Sequence, residues 1–338
     1  MARSHLTLAA LATSAVDDLD LVSAASFGSN TTNDFDAALL TARDGNHYLI
    51  RVPRNERAEA EQSADLLALR AISPGVRTRL PFAVSTYLGQ TPVSGTRAVV
   101  YDFVYGTKVA LANLGAGQNG LSASVGTAIA AVHSLPTSFV ADAGLAVLSA
   151  GECLRAVVSV MDRASATGLV PAPLLGRWER AAEENKLWQF QPTVINNQLS
   201  AESFLCADGA VTGLLGWQEL RVGDPAKDLA WLLGAPEAIT DSAFDAYAAV
   251  RGSGDRQVRQ RAKLYAELEI AKWLLHGTDS RSTEIVDDAV EMLTALVDST
   301  INDVMNPISA QTMPTMAISD VEALLDRSEH LRSPERAV

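Results

Sequence analysis

Cysteine is nearly absent. Cys153 and Cys206 are the only two in 338 residues, so no disulfide framework organises the chain, and a reducing compartment, the cytoplasm, is the expectation. Histidine is scarce too: His5, His47, His133, His276 and His330 are scattered, and no His/Cys cluster has metal-ligand spacing. Internal repeats, a Walker loop and a Ser-His-Asp arrangement are missing as well. No apolar run reaches the ~18 residues of a membrane span. Positive charge is in deficit, with 27 Lys and Arg against 40 Asp and Glu, a net charge of −13. That balance argues against nucleic-acid partners and anionic membrane surfaces. It suits cationic ligands, and equally it suits plain solubility.

What is present is apolar material for a sizeable core, 48% of residues, in one large domain or two lobes. The opening MARSHLTLAALATSAV imitates a signal peptide, but its apolar run is weak and Asp17-Asp18 follow at once. A helix over 1–15 packing on the first lobe is the preferred reading. Strands are expected at Leu19–Ala25, Asp36–Ala42, His47–Val52, Leu80–Ser85 and Thr96–Phe103, with the Asp44-Gly45 turn joining the second and third. Ala58–Ile72 has helical apolar spacing. The rest is mainly helical: Leu121–Leu135, Cys153–Ala166, Pro173–Glu184, Asp241–Val250, Gln257–Leu275 and Thr283–Asn302. Asn306–Ala317 reads as a linker, and Ser319 is placed to cap a short last helix within 306–338. That helix either packs back on the chain or docks a partner.

The informative stretch is 193–231, TVINNQLSAESFLCADGAVTGLLGWQELRVGDPAKDLAW. It reads as a strand (Thr193–Ile195), a polar loop and a second strand ending at Leu205. The Asp208-Gly209 turn, a third apolar run (Val211–Trp217) and a helix over Ala226–Leu233 complete it. Leu199, Leu205, Trp217, Gly223, Asp224, Pro225, Asp228, Leu229 and Ala230 carry a resemblance to the catalytic segment of the aminoglycoside and macrolide phosphotransferase family. Further letters agree: the hinge-like Asp102-Phe103-Val104-Tyr105-Gly106, and His133-Ser134-Leu135-Pro136 closing a helix.

The resemblance spans about residues 20–300. It implies an α+β, two-lobed protein-kinase-like fold, with a small antiparallel-sheet N-lobe (16–105) and a mainly helical C-lobe (106–305). The family's His-Gly-Asp falls on Asn196-Asn197-Gln198, its metal-binding Asn on Ser203, and its second metal ligand on Gly216. Phosphoryl transfer needs a carboxylate to position the attacking hydroxyl and oxygen ligands for magnesium. Losing a general base alone costs about 10²–10⁴-fold.

The expectation is therefore a pseudokinase, a binding or regulatory protein with no metal. No cofactor is assigned beyond ATP or GTP held without magnesium, and the partner is a small molecule or another protein. The alternative is a small-molecule phosphotransferase with a non-standard metal site that recruits Glu202 or Asp208. Nucleotide contacts implied by the resemblance are Arg51 on the third strand, Gln62 on the first long helix (with Glu61 as fallback), and Tyr101 and Phe103 at the hinge. Arg51 either pairs with phosphate or snorkels from a strand edge. Asp224 and Asp228 are assigned to holding the loop, and the 26–32 loop, with one glycine, to a turn.

Overall fold

The computed structural model describes residues 3–28, 34–117, 120–252, 254–301 and 308. The proposed linker and last helix over 306–338 lie outside the described residues, Ile308 excepted.

The chain starts with helix α1 (His5–Ala15), capped by Ser4, whose hydroxyl accepts the Thr7 N–H. A five-stranded antiparallel sheet follows: β1 (Leu21–Ser26), β2 (Phe35–Ala42), β3 (His47–Pro53), β4 (Tyr87–Val93) and β5 (Thr96–Asp102). Their spatial order is β1-β2-β3-β5-β4. Between β3 and β4 run α2 (Glu56–Ala71), capped by Asn55, and the short α3 (Pro74–Arg77). Alternation sorts the β5 side chains between two cores. Ala98 and Val100 join Leu8, Ala12, Leu40 and Ile50 in a small core under α1, while Val99 and Tyr101 face α2 and join the main core. Gly89 on β4 lets α1 seat closely, because a Cβ there would stand 2.0 Å from the Ala15 carbonyl oxygen.

Two of the sequence expectations are corrected here. Leu80–Ser85 is not a strand: Leu80, Phe82 and Val84 are buried in alternation as in one, but the segment is a loop that makes one isolated bridge, from Ala83 to Gly213. The strand is β4, seven residues later at its start, whose Gly89 and Pro92 disguise it. It is an edge strand, where proline is tolerated.

The second part is mainly helical, with α4 (Leu121–His133), α5 (Ser138–Asp142), α6 (Ala150–Ala166) and α7 (Ala172–Glu183) first. Its strands are short: β6 (Thr193–Ile195), β7 (Phe204–Ala207), β8 (Ala210–Leu214) and β9 (Arg221–Gly223). Helices α8 (Ala226–Leu229), α9 (Glu237–Arg251), α10 (Val258–Ser280) and α11 (Thr283–Ile301) close it. Helix α8 is shorter than expected, because the chain tightens into a 3₁₀ turn over Ala230–Gly234. Strand β6 pairs with β9, and β7 and β8 form the hairpin expected across the Asp208-Gly209 turn, whose two residues have left-handed backbones. Trp178, Trp188 and Trp217 lie in the main core, each indole N–H donating to a neighbour. Among the described residues no helix is long and apolar enough to cross a membrane.

Candidate functional site

Pairing β6 with β9 sets the loop Asn196–Ser203 beside the Gly223-Asp224-Pro225 turn. Asp228, fully buried, accepts the backbone N–H groups of Asn196 at 2.7 Å and Asn197 at 2.6 Å. One of its oxygens also lies 3.2 Å from His133 Nε2, and His133 Nδ1 lies 3.0 Å from the Tyr247 hydroxyl. Asn197 reaches this geometry through a left-handed backbone (φ 72), which asparagine tolerates.

Asp224 forms a second anchor. It accepts from Ala226 N (2.9 Å), Arg261 Nε (2.8 Å) and the Tyr265 hydroxyl (3.1 Å). Burial raises its pKa, and Arg261 is the strongest opposing influence. Arg261 in turn holds Asp255 and the Leu187 carbonyl.

The face of the loop turned outward opens on a cleft of about 1410 Å³ between the sheet and the helical part. Its lining includes Arg51, Gln62, Phe103, Gln198, Ser203 and Gly216, which the sequence placed at one site. Asn196 is not exposed to it: the residue is fully buried, its amide donating to the Gly216 carbonyl at 2.7 Å. Strand alternation sends the Tyr101 ring into the main core, away from the lining, and burial pushes its phenol pKa up; the contact expected at this hinge is through the backbone.

Gln198 accepts from the Gln218 amide at 3.0 Å, and Ser203 accepts the Ser200 N–H at 3.2 Å. Gly216 has a left-handed backbone (φ 76), and a Cβ there would stand at ordinary contact distance, 3.5 Å, from the Gln218 side chain. The carboxylates near these three are already engaged. Glu202 pairs with Lys108 at 3.0 Å, and Glu219 pairs with Arg221 and accepts from Asn197. Asp208 sits on the β7–β8 turn, outside the lining. Among the described residues no group of three His, Cys, Asp or Glu side chains could hold a metal ion.

The Arg51 guanidinium stacks on the Phe35 ring, 3.8 Å from its centre. Gln62, fully buried, donates to the Arg97 carbonyl, so it does not serve as a partner for Arg51. No ion pair joins Arg51 to Glu61 among the described residues. The acid in reach is Asp65, which the sequence reading passed over. It accepts the Trp217 N–H at 2.9 Å; burial raises its pKa, that hydrogen bond and the nearby Arg51 charge oppose the rise, and Glu61 adds to it. Its signal was a carboxylate one turn beyond Glu61 and Gln62, on the same face of α2.

At the hinge the Phe103 N–H is spent on the His47 carbonyl, and Asp102 accepts the Thr86 N–H. Phe27, Phe103 and Tyr105 stack edge to face, and the Tyr105 hydroxyl lies 2.8 Å from His47 Nδ1. The turn assigned at 26–32 is described only to Gly28.

The fold has close counterparts. A macrolide 2'-phosphotransferase from Brachybacterium faecium, solved as the apoenzyme, superposes with a TM-score of 0.69 at 21% identity, covering 86% of this chain and 98% of that one. A type I macrolide 2'-phosphotransferase gives 0.66 at 23%, with 87% and 98% covered. Wild-type aminoglycoside 2'-phosphotransferase-IIIa, in its GDP complex, gives 0.68 at 17%, with 89% and 100% covered. At these identities the likeness establishes the two-lobed kinase-like fold. No curated protein matches the chain in sequence at a significant level. The model of the phosphotransferase enzyme family (APH) matches residues 27–265, most of the chain, and the chain belongs to that family.

Proposed function

We propose that this chain is a catalytically degenerate member of the family, a pseudokinase that works by binding in the interlobe cleft. One observation carries the reading. Apart from Glu202, which is paired with Lys108, the side chains that the loop and the Gly216 turn offer to the cleft are neutral or missing, and the neighbouring Asp65 accepts the Trp217 N–H. Magnesium takes near-octahedral oxygen ligands and leans on carboxylates and phosphates. A glutamine amide, a serine hydroxyl turned back on its own loop, and a glycine do not make that donor set. Phosphoryl transfer by the usual arrangement has neither its base nor its metal here.

The nucleotide named in the aminoglycoside phosphotransferase complex is GDP. By analogy the ligand proposed here is ATP or GTP held without magnesium, with Arg51 free to leave Phe35 for a phosphate. The partner that reads the bound state is a small molecule or another protein, and the proposed setting is cytoplasmic.

Thermal melts with ATP and GTP, with and without magnesium, test this. A ligand at 100 times its Kd adds about 2.7 kcal/mol of stability, so a metal-independent rise in Tm is expected. The triple variant Q198D/S203N/G216D is expected to gain nucleotide turnover that the wild type lacks. Turnover by the wild type, abolished in E202Q, would overturn the proposal, because Glu202 is the one carboxylate of the Asn196–Ser203 loop that lines the cleft.

A further inference from the structure

The whole chain has five lysines, Lys108, Lys186, Lys227, Lys263 and Lys272. Two of them line the cleft, and their situations differ. Lys108 is near the surface and paired with Glu202. Lys227, in the Gly-Asp-Pro-Ala-Lys-Asp turn, is half-buried and has no hydrogen bond or ion pair among the described residues. Its ammonium lies 5.8 Å from the centre of the Tyr265 ring, at the helical end of the cleft with Trp231.

The acids around Lys227 are committed elsewhere. Asp228 is taken by two backbone N–H groups and His133, Glu269 by Lys272 at 2.5 Å, and Glu219 by Arg221 and Asn197. Burial, Lys272 and Arg221 together press the Lys227 pKa below its ordinary value; Glu269 and Asp228 oppose them and do not prevail. A desolvated ammonium with no counter-anion is unfavourable, and supplying the anion relieves it.

We propose that Lys227 anchors an anionic group, a carboxylate or phosphate, of a small molecule seated at the helical end of the cleft against Tyr265 and Trp231. The proposal rests on the reading of the cleft as a binding site, and it specifies the chemistry of what binds. The net charge of −13 does not oppose this, because exposed charges are screened beyond about 8–10 Å.

Pyridoxal 5'-phosphate provides the test, since it has a phosphate and an aldehyde on one ring. A lysine amine adds to the aldehyde, water leaves as the imine forms, and borohydride delivers hydride to the imine carbon to fix a secondary amine. Peptide mapping then reads all five lysines. Lys227 is expected to label at least about tenfold faster than the exposed Lys186. Inorganic pyrophosphate (the phosphate arm) or citrate (the carboxylate arm) is expected to slow that labelling, and the arm that protects identifies the anion.

Labelling of Lys227 no faster than that of Lys186, or fast labelling that neither anion slows, overturns the proposal. The protecting anion should also raise Tm in the wild type and in K227R, which keeps the charge, and should fail to do so in K227M. An equal rise in K227M overturns the proposal too. The binding-protein reading fails separately, through magnesium-dependent nucleotide turnover, whatever Lys227 does.

Discussion

The loop Asn196–Ser203 has two sides built to different standards. Behind it, Asp228 and Asp224 have their carboxylates filled by backbone N–H groups, Arg261, Tyr265 and an imidazole, in a dry interior. In front, Gln198 and Ser203 make single hydrogen bonds at the rim of an open cleft, and Gly216 makes none through a side chain. Charge-assisted hydrogen bonds away from water are the strong ones, and leaving one end unmade is costly. The molecule thus concentrates its buried charge where it fixes the backbone.

The contrast is broken most directly at Asp228. Asp228→Ala leaves two buried N–H donors without acceptors, and each such group costs about 1–3 kcal/mol. A loss of about 3 kcal/mol or more is expected from urea denaturation at constant m. A loss under about 1 kcal/mol would mean the rear anchors matter no more than the front.

A second probe is pH. Burial raises the Asp65 pKa above its ordinary 3.8, so the fold favours its protonated form. The stability this proton contributes is full below pH 3.8 and is lost as pH rises through the higher folded value. Asp65→Asn keeps a side-chain oxygen for the Trp217 N–H and removes the titration. The urea midpoint of the variant is therefore expected to gain on that of the wild type as pH rises from 3.8, and parallel profiles would refute the assignment.

Gly216→Asp sharpens the comparison from the front. Its Cβ would find Gln218 no nearer than 3.5 Å, so the cost is the left-handed backbone, about 1 kcal/mol. A much larger loss would show that the front is as tightly packed as the rear. The smallest effect is expected at Gln198. Gln198→Ala should stay within about 0.5 kcal/mol of the wild type in the same assay.

How much of this could be read from the chain follows the same division. The Gly223–Ala230 letters locate the site because they form one contiguous run, although the backbone that Asp228 holds lies 32 and 31 residues earlier, at Asn196 and Asn197. The α2 and α4 helices are legible from apolar spacing, and the β2–β3 and β7–β8 hairpins from Asp-Gly turns. The pairing of β6 with β9 is not legible, since a three-residue strand has no pattern of its own and its partner lies beyond a whole hairpin. Leu80–Ser85 misleads because burial alternates in a loop pressed against the core just as in a strand. Asp65 was hidden for another reason. Its role depends on the Trp217 amide, 152 residues away in sequence, and no local pattern contains that contact. The hinge motif at Tyr101 gives the segment and not which way β5 turns its ring.

The fit between Gly89 and the Ala15 carbonyl has a mechanical corollary. Helix α1 supplies Leu8 and Ala12 to a core of only eight buried side chains, and it sits against an edge strand with no room for even a methyl group between them. The upper jaw of the crevice is therefore clamped from outside.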